Sequence, residues 1–206
     1  MKSITIFSIL AVMLFGGFNA AHAEEEWSLS RDKDGIKIYT RKYKDYNYKE
    51  YKGIVIVDGK VSDLVAILKD IQTYDKWSYN CVPNTAKVLK KDEVKGEYYV
   101  YMEIKAPIVS NRDVVTLYKF HKPASDGSVL VEFWGEKDYI PKKDGLVRVP
   151  ELVGYWKAIP MGNGKIKIVH QAFSHPGGSP PASLVNGANV NAPFSMLSII
   201  RDMIQK

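Results

Sequence analysis

His175-Pro176-Gly177-Gly178-Ser179-Pro180-Pro181 is the stretch on which the fold turns, because the chain changes character across it. Proline and glycine at this density end a strand and reverse the chain. Proline also suits the first turn of a helix, where its missing N–H is not needed. Beyond it, Leu184, Val185, Ala188, Phe194, Leu197, Ile200 and Ile204 return near helical spacing, with Asn186, Asn189, Asn191 and Arg201 between them. Pro193 lies inside this run and is expected to kink the helix or split it. A terminal helix needs an apolar surface to lie on, and the residues before it read mostly as strands. The expected class is therefore α+β: a curved antiparallel sheet with the C-terminal helix as a lid over its concave face.

Working outward, residues 165–173, 153–159, 146–149 and 129–134 read as strands separated by turn-rich segments such as Met161-Gly162-Asn163-Gly164. Residues 114–120 form another, entered through a turn at 107–113. In 97–105, Val100, Met102 and Ile104 alternate with Tyr99, Tyr101 and Glu103, the period of a half-buried strand. Nearer the start, 27–33 and 35–41 flank Asp34-Gly35, a strong hairpin signal, and 48–57 is a further strand. Val61, Leu64, Val65, Leu68 and Ile71 then mark an amphipathic helix capped near Ser62 or earlier. Trp77 follows, placed to close the core. The count is eight or nine strands, one helical region after the third, and one helix at the end.

Residues 1–23 read as a signal peptide: Lys2, an apolar run from Ile4 to Phe18, and small residues at Ala21 and Ala23. The rival reading keeps this segment as an uncleaved anchor. Cleavage leaves 24–206 as one domain, exported to the periplasm or secreted. It also removes Lys2 from a formal net charge of +6. The lysines are dispersed among acids, as in Lys90-Lys91-Asp92-Glu93, so they read as a solvated face. No dense basic stripe with interleaved aromatics points to nucleic acid. A transient contact with an anionic membrane surface stays open. Cys81 is the only cysteine, which removes any intramolecular disulfide.

Catalytic signals are poor. After cleavage only His121, His170 and His175 remain, without HExxH spacing, a cysteine-based metal pattern or a GxSxG elbow. Gly162-Asn163-Gly164 joins two strands and reads as a hairpin rather than a phosphate loop. His170 shares parity with Ile166 and Ile168 and should point inward, as a satisfied core histidine or a general base. What stands out is aromatic surface: 13 tyrosines beside Trp27, Trp77, Trp134 and Trp156. A sheet face under one helix can enclose a void lined by such residues, and small-ligand sites are concave and mostly apolar. The alternative is that the aromatics simply fill the interior.

Trp27, Asp34-Gly35-Ile36-Lys37-Ile38-Tyr39-Thr40-Arg41, Trp77, Ser110-Asn111-Arg112-Asp113-Val114-Val115, Val147-Arg148-Val149, Pro176-Gly177-Gly178 and the segment from Pro181 to Asn186 together resemble the lipid-binding START domain. The likeness spans nearly all of 24–206 and is greatest to the phosphatidylcholine-transfer branch. It implies a helix-grip fold, a tunnel holding one lipid or other hydrophobic small molecule, and non-enzymatic binding, transfer or sensing without a cofactor or metal. Positions matching that branch's aromatic cage for a quaternary ammonium carry Met102, Val114 and Leu152 here, and its headgroup Arg and Asp fall at Tyr74 and Ser78. An inward arginine of sterol-binding members falls at Tyr118. The implied tunnel is thus neutral, lined by Met102, Val114, Thr116, Tyr118, His170, Leu184 and Phe194. Arg112, Asp113 and Arg148 are expected to hold structure. Related helix-grip proteins include aromatase/cyclases, so an enzyme of that kind is the alternative, with His170, Tyr118 and Glu103 as its acid–base groups.

Overall fold

Asp34 and Gly35 both adopt positive φ, 51° and 74°. They close the two-residue turn that their sequence favours between β1 (Ser28–Lys33) and β2 (Ile36–Lys42). In the computed structural model, which describes residues 26–106 and 108–206, this hairpin starts a sheet of ten strands. The segment expected as a signal peptide, 1–23, lies outside the described residues.

β3 (Lys49–Asp58) pairs with β2 and hands the chain to α1 (Val61–Lys69). The helix is capped at Lys60, within the expected position near Ser62 or earlier, and the Lys60 N–H donates to Asp63 Oδ2 at 2.7 Å. A single 3-10 turn (Ile71–Thr73) and the short α2 (Tyr74–Trp77) then drive Tyr74 and Trp77 into the core. β4 (Lys87–Asp92), β5 (Glu97–Ile104), β6 (Arg112–Phe120) and β7 (Val129–Gly135) follow as an antiparallel run. β8 (Val147–Arg148) adds a short parallel pairing to the start of β6. β9 (Glu151–Gly162) and β10 (Lys165–His175) form the long final hairpin. β9 pairs with β7, and β10 with β3, so the strand order is β1-β2-β3-β10-β9-β7-β6-β5-β4.

The sequence reading takes Lys90-Lys91-Asp92-Glu93 as solvated charge and so misses β4. This is an edge strand paired only with β5, and its lysines are what an exposed edge uses to discourage further pairing.

α3 (Ala182–Ile204) crosses the concave face, burying Asn189, Pro193, Met196, Leu197 and Ile200. Of the kink or split expected at Pro193, the split does not occur: α3 runs from Ala182 to Ile204 with Pro193 inside it. Pro193 stands on the buried face, and packing on both sides of it holds the turns in one helix. The helix can lie close because β3 presents a bare backbone there. A Cβ at Gly53 would sit 2.5 Å from Leu197 Cδ1 and 3.1 Å from Ile38 Cδ1.

Candidate ligand-binding cavity

Cross-strand register explains why the sheet is hollow beneath α3. One row runs Tyr118, Phe133, Gly154, Ala172, Tyr51 across β6, β7, β9, β10 and β3; the next contains Trp156, His170 and Gly53. Large aromatic side chains therefore alternate with residues that have little or no side chain. At Gly154 an added Cβ would meet Phe133 Cζ at 2.6 Å, so the Phe133 ring leans over that gap.

The hollow has two chambers. The inner one, about 200 Å³, is walled by Tyr51, Trp77, Met102, Val114, Tyr118, Phe133, Leu152, Trp156 and His170, and closed by Ala192 and Met196 of α3. The outer one, about 220 Å³, lies toward the start of α3, among Ile104, Val109, Pro180, Leu184, Val185 and Ala188. Tyr79, Ile104, Val149, Ser174 and Asn189 border both, so the chambers are contiguous. No Asp, Glu, Lys or Arg stands on the inner wall. A larger groove of about 770 Å³ lies elsewhere, between α1 and the turns after β4 and β6. Its Lys119 and Lys69 already face Glu97 and Glu93, the solvated pattern read from the sequence.

His170 is the most constrained polar group in the inner chamber. Its ring stacks on Trp156 at 3.6 Å with planes 4° apart. Nδ1 lies 3.2 Å from the Tyr155 carbonyl oxygen, and Nε2 lies 2.7 Å from Tyr51 Oη. A carbonyl can only accept, so Nδ1 carries the proton and Nε2 accepts from the Tyr51 hydroxyl. Burial pushes the imidazole pKa down to about 3, leaving it neutral. Burial likewise raises the Tyr51 and Tyr118 phenols, so both stay protonated.

Met102, Val114, Tyr118 and His170 line the inner chamber, and Leu184 lines the outer one at 42% exposure. Thr116 shares a face of β6 with Val114 and Tyr118 and is buried, but it is not part of either wall. Phe194, expected on the tunnel wall, lines neither chamber. It stands one residue, about 100° of helix, beyond the inward Pro193, and its ring packs beneath the Arg31 guanidinium at 4.9 Å. Tyr74 lies outside the chamber, donating to the Leu68 carbonyl at 2.7 Å, whereas Ser78 and Leu152 are on its wall. Glu103 points away, between Lys143 and Tyr101.

Arg112 borders the outer chamber, yet its guanidinium is committed. It donates to the Ser110 carbonyl, to Pro176 at 3.1 Å and to Gly177 at 3.4 Å, fastening the start of β6 to the turn before α3. Arg148 forms a bidentate pair with Asp113 and donates to the carbonyls of Lys137, Ile140 and Pro141. Tyr51 and Phe133 are wall residues that the sequence does not single out, and Trp77 and Trp156 are the two tryptophans, of the four named as lining or filling the interior, that stand on the wall. Tyr51 had a usable signal, since it shares strand parity with Gly53 and Val55.

Sheet, overlying helix and apolar hollow define a helix-grip container, a fold that supports binding of a hydrophobic ligand. The chain belongs to the START domain family, whose model matches residues 18–192. It is 34% identical over its whole length to an uncharacterized protein of Pseudomonas aeruginosa that it also covers completely. It is 28% identical to the human phosphatidylcholine transfer protein, over 83% of this chain and 80% of that one. A crystal structure of a STAR-related lipid transfer protein fragment from Xanthomonas axonopodis superposes with a TM-score of 0.79 at 31% identity. That match covers 87% of this chain and 99% of the other.

Proposed function

We propose that this protein binds one neutral hydrophobic molecule between the sheet and α3 and carries or senses it without chemically changing it. The observation that carries this reading is the uncharged inner chamber of about 200 Å³, continuous with an apolar outer one. Binding would come chiefly from apolar area removed from water, about 25 cal/mol per Å² before ordering costs. A charged group entering the inner chamber would be desolvated without a countercharge. The non-enzymatic reading is favoured because both ring nitrogens of His170 are engaged and Glu103 lies on the opposite face.

The rim supports a transient membrane contact as the route of loading. Val109, Leu184 and Lys105 border the outer chamber, and Ile108, next to Val109 in the chain, is 94% exposed. Export rests on the leader reading of 1–23. Intact-mass measurement of the protein from the periplasmic or secreted fraction should give a chain starting at Glu24; a full-length mass would remove that part. Native mass spectrometry of freshly purified protein tests the main reading. A retained or taken-up hydrophobic molecule at one per chain is expected, and a chain that takes up none would overturn it.

A further inference from the structure

The two chambers together hold about 420 Å³, whereas a cavity of about 150 Å³ takes the six carbons of benzene. At that scale, about 25 Å³ for each heavy atom, the whole hollow admits a molecule of about 17 heavy atoms. A phospholipid with two sixteen-carbon chains has about 50, roughly three times as many. The inner walls have little freedom to retreat. His170 is held between the Tyr51 hydroxyl at 2.7 Å and the Trp156 ring stacked on it at 3.6 Å. Trp77 meets Trp156 edge-on at 6.0 Å, and Tyr118 meets Phe133 at 5.6 Å. Widening the chamber therefore means parting packed rings and breaking a buried hydrogen bond. Phe133 fills the place where the sheet has least side chain. A Cβ added at Gly154 would meet Phe133 Cζ at 2.6 Å and Ala172 Cβ at 2.8 Å, so this one ring covers the bare patch between β9 and β10.

We propose that the hollow is a size filter: it takes a hydrophobic molecule built on one chain or one ring system and excludes two-chain lipids, with Phe133 as the residue that sets the inner limit. This deepens the container function proposed above and rests on it. A guest of the permitted size spans both chambers, passing Ile104 and Val149 where they adjoin. The second chain of a larger lipid stays in water and forgoes the burial that drives binding. The filter separates this chain's cargo from what the phosphatidylcholine transfer proteins are named for, although the fold is shared.

The test compares two neutral glycerides of one chemistry on the full chain: 1-monodecanoylglycerol, about 17 heavy atoms, and 1,2-didecanoylglycerol, about 28. Binding is read by native mass spectrometry and by displacement of a fluorescent hydrophobe, and vesicles of dipalmitoylphosphatidylcholine are offered separately. Each further buried methylene raises affinity about fourfold, so a hollow without a limit would strongly prefer the two-chain glyceride. The filter reverses that order. The one-chain glyceride is expected to bind one per chain and at least about tenfold more tightly, with no phosphatidylcholine extracted. Phe133→Ala frees roughly the space of a benzene ring and should narrow the gap between the glycerides about tenfold. Equal or tighter binding of the two-chain glyceride by the unmodified protein, or stoichiometric extraction of phosphatidylcholine, would overturn the filter while leaving the container intact. A folded Phe133→Ala with the parental ratio would overturn the assignment to Phe133. Failure of both glycerides and of every other hydrophobe would remove the container reading itself. The ranking on the unmodified protein needs no variant, so misfolding of Phe133→Ala leaves the proposal open to refutation.

Discussion

Asp113 and Arg148 meet inside the protein as a two-pronged ion pair, Nε to Oδ1 and Nη2 to Oδ2 both at 2.9 Å, with side chains 1% and 2% exposed. They stand directly opposite each other where β8 pairs with β6. Arg148 also gathers three carbonyls of the segment 137–141, so a single side chain ties that loop to the sheet.

Removing one partner of such a pair leaves a buried charge uncompensated, which costs about 3–5 kcal/mol. Arg148→Met should therefore lower unfolding free energy in urea by roughly that amount. Replacing both, as Asp113→Leu with Arg148→Met, should cost less than the single change. A single variant within about 1 kcal/mol of the parent would show that the pair is a passive contact.

Gly53 makes a second prediction. The methyl of Gly53→Ala would overlap Leu197 and press on Ile38, and both are fully buried. Overpacking of this kind costs about 1–3 kcal/mol, and because the two sites touch, Gly53→Ala with Leu197→Ala should lose less than the sum of the two single changes. A melting temperature unchanged by Gly53→Ala would mean that α3 sits farther from β3 than the structure places it.

Some of this architecture was readable from residues alone, and the reasons differ by element. The Asp34-Gly35 turn and the inward face of β10 follow from local chemistry, a positive-φ pair and a strict alternation of Ile166, Ile168 and His170. β4 was not readable, because edge strands carry the same lysines as a solvated loop. Phe194 misled because helical spacing gives the apolar stripe but not its angle to the sheet. Tyr51 and Trp77 come together through pairing between β3 and β10 and through the placement of α2, relationships that sequence spacing does not encode. Local patterning thus predicted the container better than the identity of its walls.

His170 predicts an acid-sensitive component of stability. Burial lowers its folded pKa to about 3, against about 6.5 for an unfolded histidine. Below about 6.5 the unfolded chain takes up a proton that the folded chain refuses. The contribution is therefore complete above that pH and is lost progressively as pH falls toward 3, with a slope approaching 1.4 kcal/mol per pH unit. His170→Asn keeps a side chain of similar shape but does not titrate. Urea unfolding of both proteins between pH 7 and 4 should show the parent losing stability faster; parallel curves would mean that His170 is protonated in the folded chain.

Asn186 and Asn189 predict how a guest leaves. Asn186 Oδ1 accepts from the Lys49 N–H at 2.8 Å, and its Nδ2 donates to the Asn47 carbonyl at 3.2 Å. One turn on, Asn189 donates to the Lys49 carbonyl. These are side-chain bonds from the first half of α3 to the start of β3, beside the outer chamber, where apolar packing is thinner than around Leu197 and Ile200. On the proposed function they would act as a latch, since such polar contacts can break and reform against water at little net cost. If the guest exits there, Asn186→Ala with Asn189→Ala should speed release several-fold while lowering stability by about 1–2 kcal/mol. Stopped-flow transfer of a fluorescent hydrophobe from the protein to acceptor vesicles reads the rate directly. Release that stays at the parental rate despite the stability loss would place the exit at another edge of the helix.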